Sequence, residues 1–152
     1  MPIDANGSSS NVRILLVDDQ PDILLTFQTI LEQHGYYVKT FDKPVNALEH
    51  LRDPTAGIQY NLVIIDYRMP GGISGLDLAK AIHDNDISMG KNRKTKILLI
   101  AVYENGVSYS AFYDALQSGL IHGLIQKPIS NSDLIAVIEK IFLHNNNNNN
   151  NH

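Results

Sequence analysis

The stretch Ile14-Leu-Leu-Val-Asp-Asp-Gln-Pro-Asp22 sets the reading of the whole chain. Counted back to Val12, its apolar part is too short for a helix. It is rich in the Ile, Leu and Val that fill strands covered on both faces. The run stops at Asp18 and Asp19, and Pro21 fits the first turn of a helix that follows. A strand that hands over to a helix in this way is one half of a βα unit.

The same pattern recurs along the chain. Leu62 to Ile65 is a second pure run and is ended by Asp66, and Ile97 to Val102 is a third. Tyr36 to Phe41 and Ile121 to Ile125 are weaker candidates, giving five strands in all. Between them, Ile23, Leu24, Phe27, Ile30 and Leu31 mark one helical face, with Gly35 as its C-cap. Val45, Leu48 and Leu51 mark a second helix, and Leu76, Ala79 and Ile82 a third. A fourth, from about Gly106 to Gln117, is the least regular. The fifth opens on Ser130 and Asp133, a capping-box-like pair, and presents Leu134, Val137, Ile138 and Ile141 inward. Five βα units in succession predict a single open α/β sheet, doubly wound, with helices on both faces. Its functional groups then lie at the carboxyl ends of the strands.

Composition narrows the possibilities. The chain has 152 residues, enough for one domain with an ordinary core. Twelve Lys and Arg against sixteen Asp and Glu leave a net charge of −4, so no positive field recommends nucleic acid or an anionic membrane. The absence of cysteine excludes disulfides, thiolate metal sites and cysteine nucleophiles. The longest apolar run, Ile97 to Tyr103, is far below the ~18 residues of a membrane span, and the start lacks the marks of a signal peptide. The expectation is a soluble, cytoplasmic protein. Residues 1–11 read as a flexible segment, 12–143 as the folded domain, and 144–152 as a low-complexity asparagine tail.

Three acids stand where this architecture places ligands: Asp18 and Asp19 after the first strand, Asp66 after the third. In a sheet where those strands are neighbours, the three carboxylates converge. Like charges so close repel unless something positive intervenes, and oxygen-only ligands suit a hard cation such as Mg²⁺. Lys127 ends the fifth strand, just before Pro128. Carboxylates, a divalent ion and one ammonium at a single sheet edge make a site for a phosphoryl group.

Taken together, ILLVDDQPD, LVIIDYRMP (Leu62 to Pro70) and LIQKP (Leu124 to Pro128) resemble the response-regulator receiver domain of two-component signalling, over roughly Val12 to Leu143. The resemblance implies a flavodoxin-like (βα)5 fold with strand order 2-1-3-4-5. It implies that Asp66 is the phosphoacceptor, taking its phosphoryl group from a histidine kinase or histidine phosphotransfer protein. It implies that Asp19 binds Mg²⁺ (or Mn²⁺) directly and Asp18 mostly through water, with Asp66 and the backbone carbonyl of Arg68 completing the protein ligands. Lys127 pairs with the phosphoryl oxygens, Met69 and Pro70 shape the loop, and Gly75 begins the third helix. The loop PGGIS, Pro70 to Ser74, is one residue longer than the commonest receiver version. Such a domain is not an enzyme in the ordinary sense, though it assists its own phosphotransfer and dephosphorylation. It signals to a downstream protein, with no direct nucleic-acid or membrane contact.

Two positions depart from the family pattern. Receivers usually carry Ser or Thr at the end of the fourth strand and an aromatic residue on the fifth, three before the lysine. Here these are Ala101 and Leu124. The face built from the fourth helix, fifth strand and fifth helix is therefore expected to respond to phosphorylation less than usual. An alternative reading is an atypical receiver, a pseudo-receiver that docks a partner without regard to phosphate. A Mg²⁺-dependent phosphatase is disfavoured, because the acidic-loop phosphatases carry a second Asp where this chain has Arg68.

Blander readings stand beside these. Paired aspartates after a strand can serve only as a turn or helix start, and a lysine before proline can be merely solvated. Gly71, Gly72 and Gly75 lack the context of a P-loop or dinucleotide fingerprint. His34, His50 and His83 show no ligand spacing and receive no role. Lys91, Arg93, Lys94 and Lys96 read as a solvated loop, with partner docking the lesser option. Tyr103, Tyr109, Phe112 and Tyr113 are either core or a recognition surface.

Overall fold

The computed structural model describes residues 12–53, 55, 59–69, 73–90, 95–102 and 109–148, with side chains through 143. The elements alternate as the periodicity predicts: β1 (Arg13–Val17), α1 (Pro21–Gln33), β2 (Tyr37–Phe41), α2 (Pro44–Arg52), β3 (Leu62–Asp66), α3 (Gly75–Ser88), β4 (Lys96–Val102), α4 (Ser110–Ser118), β5 (Gly123–Lys127) and α5 (Asn131–Asn148). The strands pair in parallel in the order β2-β1-β3-β4-β5. This is the 2-1-3-4-5 sheet.

Alternation along each strand divides the core into two layers. Leu15, Val17, Val63, Ile65, Leu99 and Ala101 point to one face, where they meet Ala47 of α2, Leu78 and Ile82 of α3, and Phe112 of α4. Ile14, Leu16, Leu62, Ile64, Leu98 and Ile100 point to the other, against Leu24, Phe27 and Leu31 of α1 and Leu134 and Ile138 of α5. Both faces of the central strands are dry, which is why their sequences read as continuous apolar runs.

Several expectations hold at the level of single bonds. Pro21 opens α1, and Gly35 takes the left-handed conformation just past its end, φ 85°. Ser130 Oγ accepts from the Asp133 N–H at 3.1 Å, as its capping position predicts. The reading missed a fuller cap on α3: Ser74 Oγ accepts from the Asp77 N–H while the Asp77 carboxylate accepts from the Ser74 N–H, each at 3.2 Å.

Other expectations are corrected. The fifth strand begins at Gly123, not Ile121. The N–H groups of Leu120 and Ile121 both donate to the Ala115 carbonyl, closing α4 around Gly119 at φ 81°, so they are unavailable to a strand. Val45 lies on the wrong side of α2 and is 54% exposed; the inward stripe is Pro44, Ala47, Leu48 and Leu51. Residue 45 falls outside the three- and four-residue steps that start at Pro44. Lys96 is the first residue of β4 rather than part of a loop. The fourth helix begins at Ser110 among the described residues, not near Gly106. Gly71, Gly72, Pro70, Lys91, Arg93, Lys94, Tyr103 and Gly106 lie outside the described residues, as do residues 1–11 and 149–152.

Candidate functional site

The parallel sheet brings β1 and β3 side by side, and their carboxyl ends carry the acids. Val17 pairs with Ile65, so Asp18 and Asp66 emerge at neighbouring positions. Oxygen atoms of Asp18, Asp19 and Asp66, one from each, lie within 4.8 Å of one another. Lys127, at the end of β5, reaches across β4 to this cluster: its Nζ is 3.3 Å from Asp18 Oδ2 and 3.7 Å from Asp66 Oδ1. A cleft of about 540 Å³ opens here, lined by Asp19, Gln20, Asp66, Arg68, Met69, Val102 and Lys127.

The loop after Asp66 is held from both sides. The Tyr67 N–H donates to the Ile100 carbonyl at 2.8 Å, and the Tyr67 carbonyl accepts from the Gly75 N–H at 3.0 Å. Gly75 can approach so closely only without a side chain. A Cβ there would stand 2.8 Å from the Tyr67 Cα, 2.9 Å from the Asp66 carbonyl oxygen and 2.8 Å from Leu99. The sequence thus places α3 directly against the backbone of the acid it supports.

Burial sets the electrostatics. Asp18 is 2% and Asp66 6% exposed. Desolvation, reinforced by the charge of Asp18, pushes the Asp66 carboxyl up to about 6, while the Lys127 ammonium pulls it the other way. Asp18 is raised too, by its burial, against the Gln20 N–H at 2.9 Å and Lys127, which hold it charged. One ammonium does not neutralise three carboxylates, so the cluster favours a further cation. Its donors are all hard oxygens, which is the set that Mg²⁺ or Mn²⁺ takes. The residues present fit a divalent ion, with Asp18, Asp19 and Asp66 as the group that would hold it.

The two departures meet in one place. Ala101 pairs with Gln126 and Leu124 with Leu99 on the adjoining strands. Both line a second cavity of about 310 Å³ beneath α4, together with Tyr109, Phe112, Tyr113 and Leu116. The aromatic residues of this region divide between the two expected roles: Phe112 is core at 1% exposure, and Tyr113 is 58% exposed. Two of these histidines make structural bonds. His50 Nε2 lies 2.7 Å from the Tyr60 hydroxyl, and His34 Nδ1 lies 2.9 Å from the Ile30 carbonyl. The sequence reading missed Gln20 and Val102 as cleft residues. It also passed over Tyr67, whose ring meets Phe112 at 4.7 Å and 86°. Its adjacency to Asp66 was the available signal, but the partner ring is set by how α4 packs.

The family model for the response regulator receiver domain matches residues 14–139. The chain is 34% identical over 126 residues to the phosphoglycerate transport system transcriptional regulatory protein PgtA of Salmonella typhimurium, covering 83% of this chain and 27% of that protein. It is 36% identical over 80 residues to the chemotaxis protein CheV1 of Helicobacter pylori, covering 52% of this chain and 25% of that one. The chain therefore spans about a quarter of the length of these relatives. Among solved structures, a CheY-like receiver domain protein of Methanospirillum hungatei superposes with a TM-score of 0.70 at 25% identity, covering 91% of this chain and 99% of the other. The response regulator TrrA of Thermotoga maritima, solved in complex with Mg²⁺ and BeF, superposes with a TM-score of 0.63 at 29% identity, covering 86% and 98%. No helix among the described residues is long and apolar enough to cross a membrane.

Proposed function

The chain belongs to the response regulator receiver family of two-component systems, and from that premise we propose that it accepts a phosphoryl group on Asp66. The observation that carries this reading is the Lys127 ammonium set between Asp18 and Asp66, at 3.3 Å and 3.7 Å, on the wall of the acidic cleft.

The chemistry follows from the groups. A carboxylate oxygen of Asp66 attacks the phosphorus of a phosphohistidine on a kinase or phosphotransfer protein. The P–O bond forms, the P–N bond breaks, and the imidazole leaves, taking a proton from solvent. The product is an acyl phosphate, and attack by water at phosphorus returns the carboxylate and inorganic phosphate. Lys127 lies where it can pair with the phosphoryl oxygens, releasing part of its attachment to Asp18. Asp18 and Asp19, with Asp66 and the Arg68 carbonyl, would hold Mg²⁺ or Mn²⁺. When bound, the ion supplies the charge neutralisation that lets an anionic nucleophile meet an anionic donor. That TrrA, 29% identical, is solved in complex with Mg²⁺ and BeF supports a divalent-ion role for this site. The receiver unit is assigned to residues 12–143 and its setting to the cytoplasm, with signalling through a downstream protein.

A second reading rests on Ala101 and Leu124. With neither a hydroxyl at Ala101 nor an aromatic ring at Leu124, the chain would serve as a docking module whose partner contacts do not depend on phosphate. Incubation with Mg²⁺ and acetyl phosphate, followed by intact mass, separates the two. One phosphoryl mass in the parent and none in Asp66→Asn supports the phosphoacceptor. No gain in either supports the docking module.

A further inference from the structure

The residue immediately after the proposed phosphoacceptor touches α4 directly. Tyr67 follows Asp66, and its ring packs edge-on against Phe112, with centroids 4.7 Å apart at 86°. Phe112 is 1% exposed and in turn meets Tyr109, the N-cap of α4, at 5.8 Å and 58°. Three rings thus run from the end of β3 to the start of α4. An edge-to-face pair is directional, so a turn or shift of the first ring changes the favoured position of the second.

The backbone ties of Tyr67 make it responsive to the site. Its N–H is bonded to Ile100 of β4, and its carbonyl to Gly75 at the head of α3. Asp66 lies one peptide away, so movement of the Asp66 carboxylate or its loop reaches the Tyr67 ring without an intermediary. On the far side there is room for a response. The 310 Å³ cavity lined by Ala101 and Leu124 borders the second and third rings, Phe112 and Tyr109, and Val102 lines both this cavity and the acidic cleft. A packed interior transmits strain, but a side chain beside a void has a second place to go.

The geometry points to Tyr67 as the positioning residue that couples the charge state of Asp66 to α4 through Phe112, in place of a hydroxyl and an aromatic ring at positions 101 and 124. This rests on the phosphoacceptor reading and adds its regulation. It also reverses the expectation that α4 responds only weakly. Phosphorylation moves a two-state equilibrium only by contacts that differ between the states, and the Tyr67–Phe112 pair is a contact of that kind.

The test uses the full chain with two readouts. Intact mass after acetyl phosphate and Mg²⁺ reports the acyl phosphate. Amide NMR shifts on adding Mg²⁺ and beryllofluoride report α4. The parent and Tyr67→Phe, which keeps the ring, should both gain one phosphoryl mass and shift the amides of Phe112, Tyr113 and Leu116. Tyr67→Leu should still gain the mass but lose most of those α4 shifts. Phe112→Leu removes the other ring, keeps apolar volume, and should lose them likewise, which covers the case in which Tyr67→Leu does not fold. Undiminished α4 shifts in either leucine variant would overturn the coupling, as would a phosphorylated parent with no α4 shift. A parent that gains no phosphoryl mass would instead overturn the phosphoacceptor reading, and the coupling with it.

Discussion

Lys127 Nζ stands 3.3 Å from Asp18 Oδ2, nearer than its 3.7 Å approach to Asp66 Oδ1. Asp18 is also the acid whose other oxygen accepts the Gln20 N–H, at 2.9 Å, and it is buried at 2% exposure. Asp18 is thus committed to holding the lysine and the β1–α1 turn. Asp19 and Asp66 are the two acids that line the cleft. The paired aspartates of the sequence, alike in chemistry, have different tasks because one points under the turn and the other into the opening.

That division predicts how metal binding responds to substitution. Asp19→Asn should weaken Mg²⁺ binding more than Asp18→Asn, since Asp19 has fewer competing attachments and faces the cleft. Titration followed by NMR or tyrosine fluorescence measures both. Equal affinity in Asp19→Asn and the parent would remove Asp19 from the ligand set.

The raised Asp66 carboxyl makes the chelator-treated protein sensitive to pH. Its pKa is about 6 in the fold against 3.8 for a free side chain, so between those values the folded chain keeps a proton that the unfolded chain releases. Stability contributed by this group therefore falls as pH rises through that window and is level above it. Asp66→Asn, which carries no charge, should be more stable than the parent at pH 7 by about 1–3 kcal/mol in urea unfolding with chelator present. Asp18 is raised as well and slopes the same way in both proteins. Saturating Mg²⁺ should narrow or reverse the difference, because the carboxylate gains a ligand that the amide binds poorly. A variant no more stable than the parent in chelator would show that the Asp66 charge is not strained in the fold.

Gly75 is a third point of test. A methyl group there meets the backbone of Asp66 and Tyr67 at 2.8 to 2.9 Å, atoms that cannot swing aside. Gly75→Ala should cost about 1–3 kcal/mol of stability by overpacking. By pushing α3 away from the loop it should also slow phosphorylation of Asp66 by acetyl phosphate. A glycine needed only for flexibility would tolerate alanine at the first residue of a helix. Denaturant midpoints together with phosphorylation rates therefore distinguish the two roles.

Much of this molecule is legible in its sequence because parallel strands buried on both faces must be apolar throughout. Leu62 to Ile65 can hardly be read otherwise, and the acid that ends the run is conspicuous. The sheet order is not contained in that pattern. It follows from family resemblance, since apolar runs carry no record of which neighbour they pair with. Ile121 was misplaced for a related reason: a residue buried in a helix-closing turn is as apolar as one in a strand, and only the bonds to Ala115 separate them. Val45 misled because a single apolar residue fits a helix on any face. The contact between Tyr67 and Phe112 lay beyond the sequence altogether, as it depends on how α4 is rotated over β3 and β4.

At the amino-terminal edge of the sheet, His122 bonds twice to Ile97. The His122 N–H donates to the Ile97 carbonyl at 2.7 Å, and the Ile97 N–H donates to His122 Nδ1 at 3.0 Å. An imidazole nitrogen stands where a strand carbonyl would otherwise accept, just before the β4–β5 ladder begins at Leu98 and Gly123. Ile97 is 1% exposed, so its N–H has little access to water if that acceptor is removed. His122→Ala should therefore cost about 1–3 kcal/mol, the penalty of a buried unsatisfied donor. The same geometry fixes the proton on Nε2, because Nδ1 must offer its lone pair. Urea midpoints of the two proteins decide the matter, and a variant as stable as the parent would show that the Ile97 N–H finds another partner.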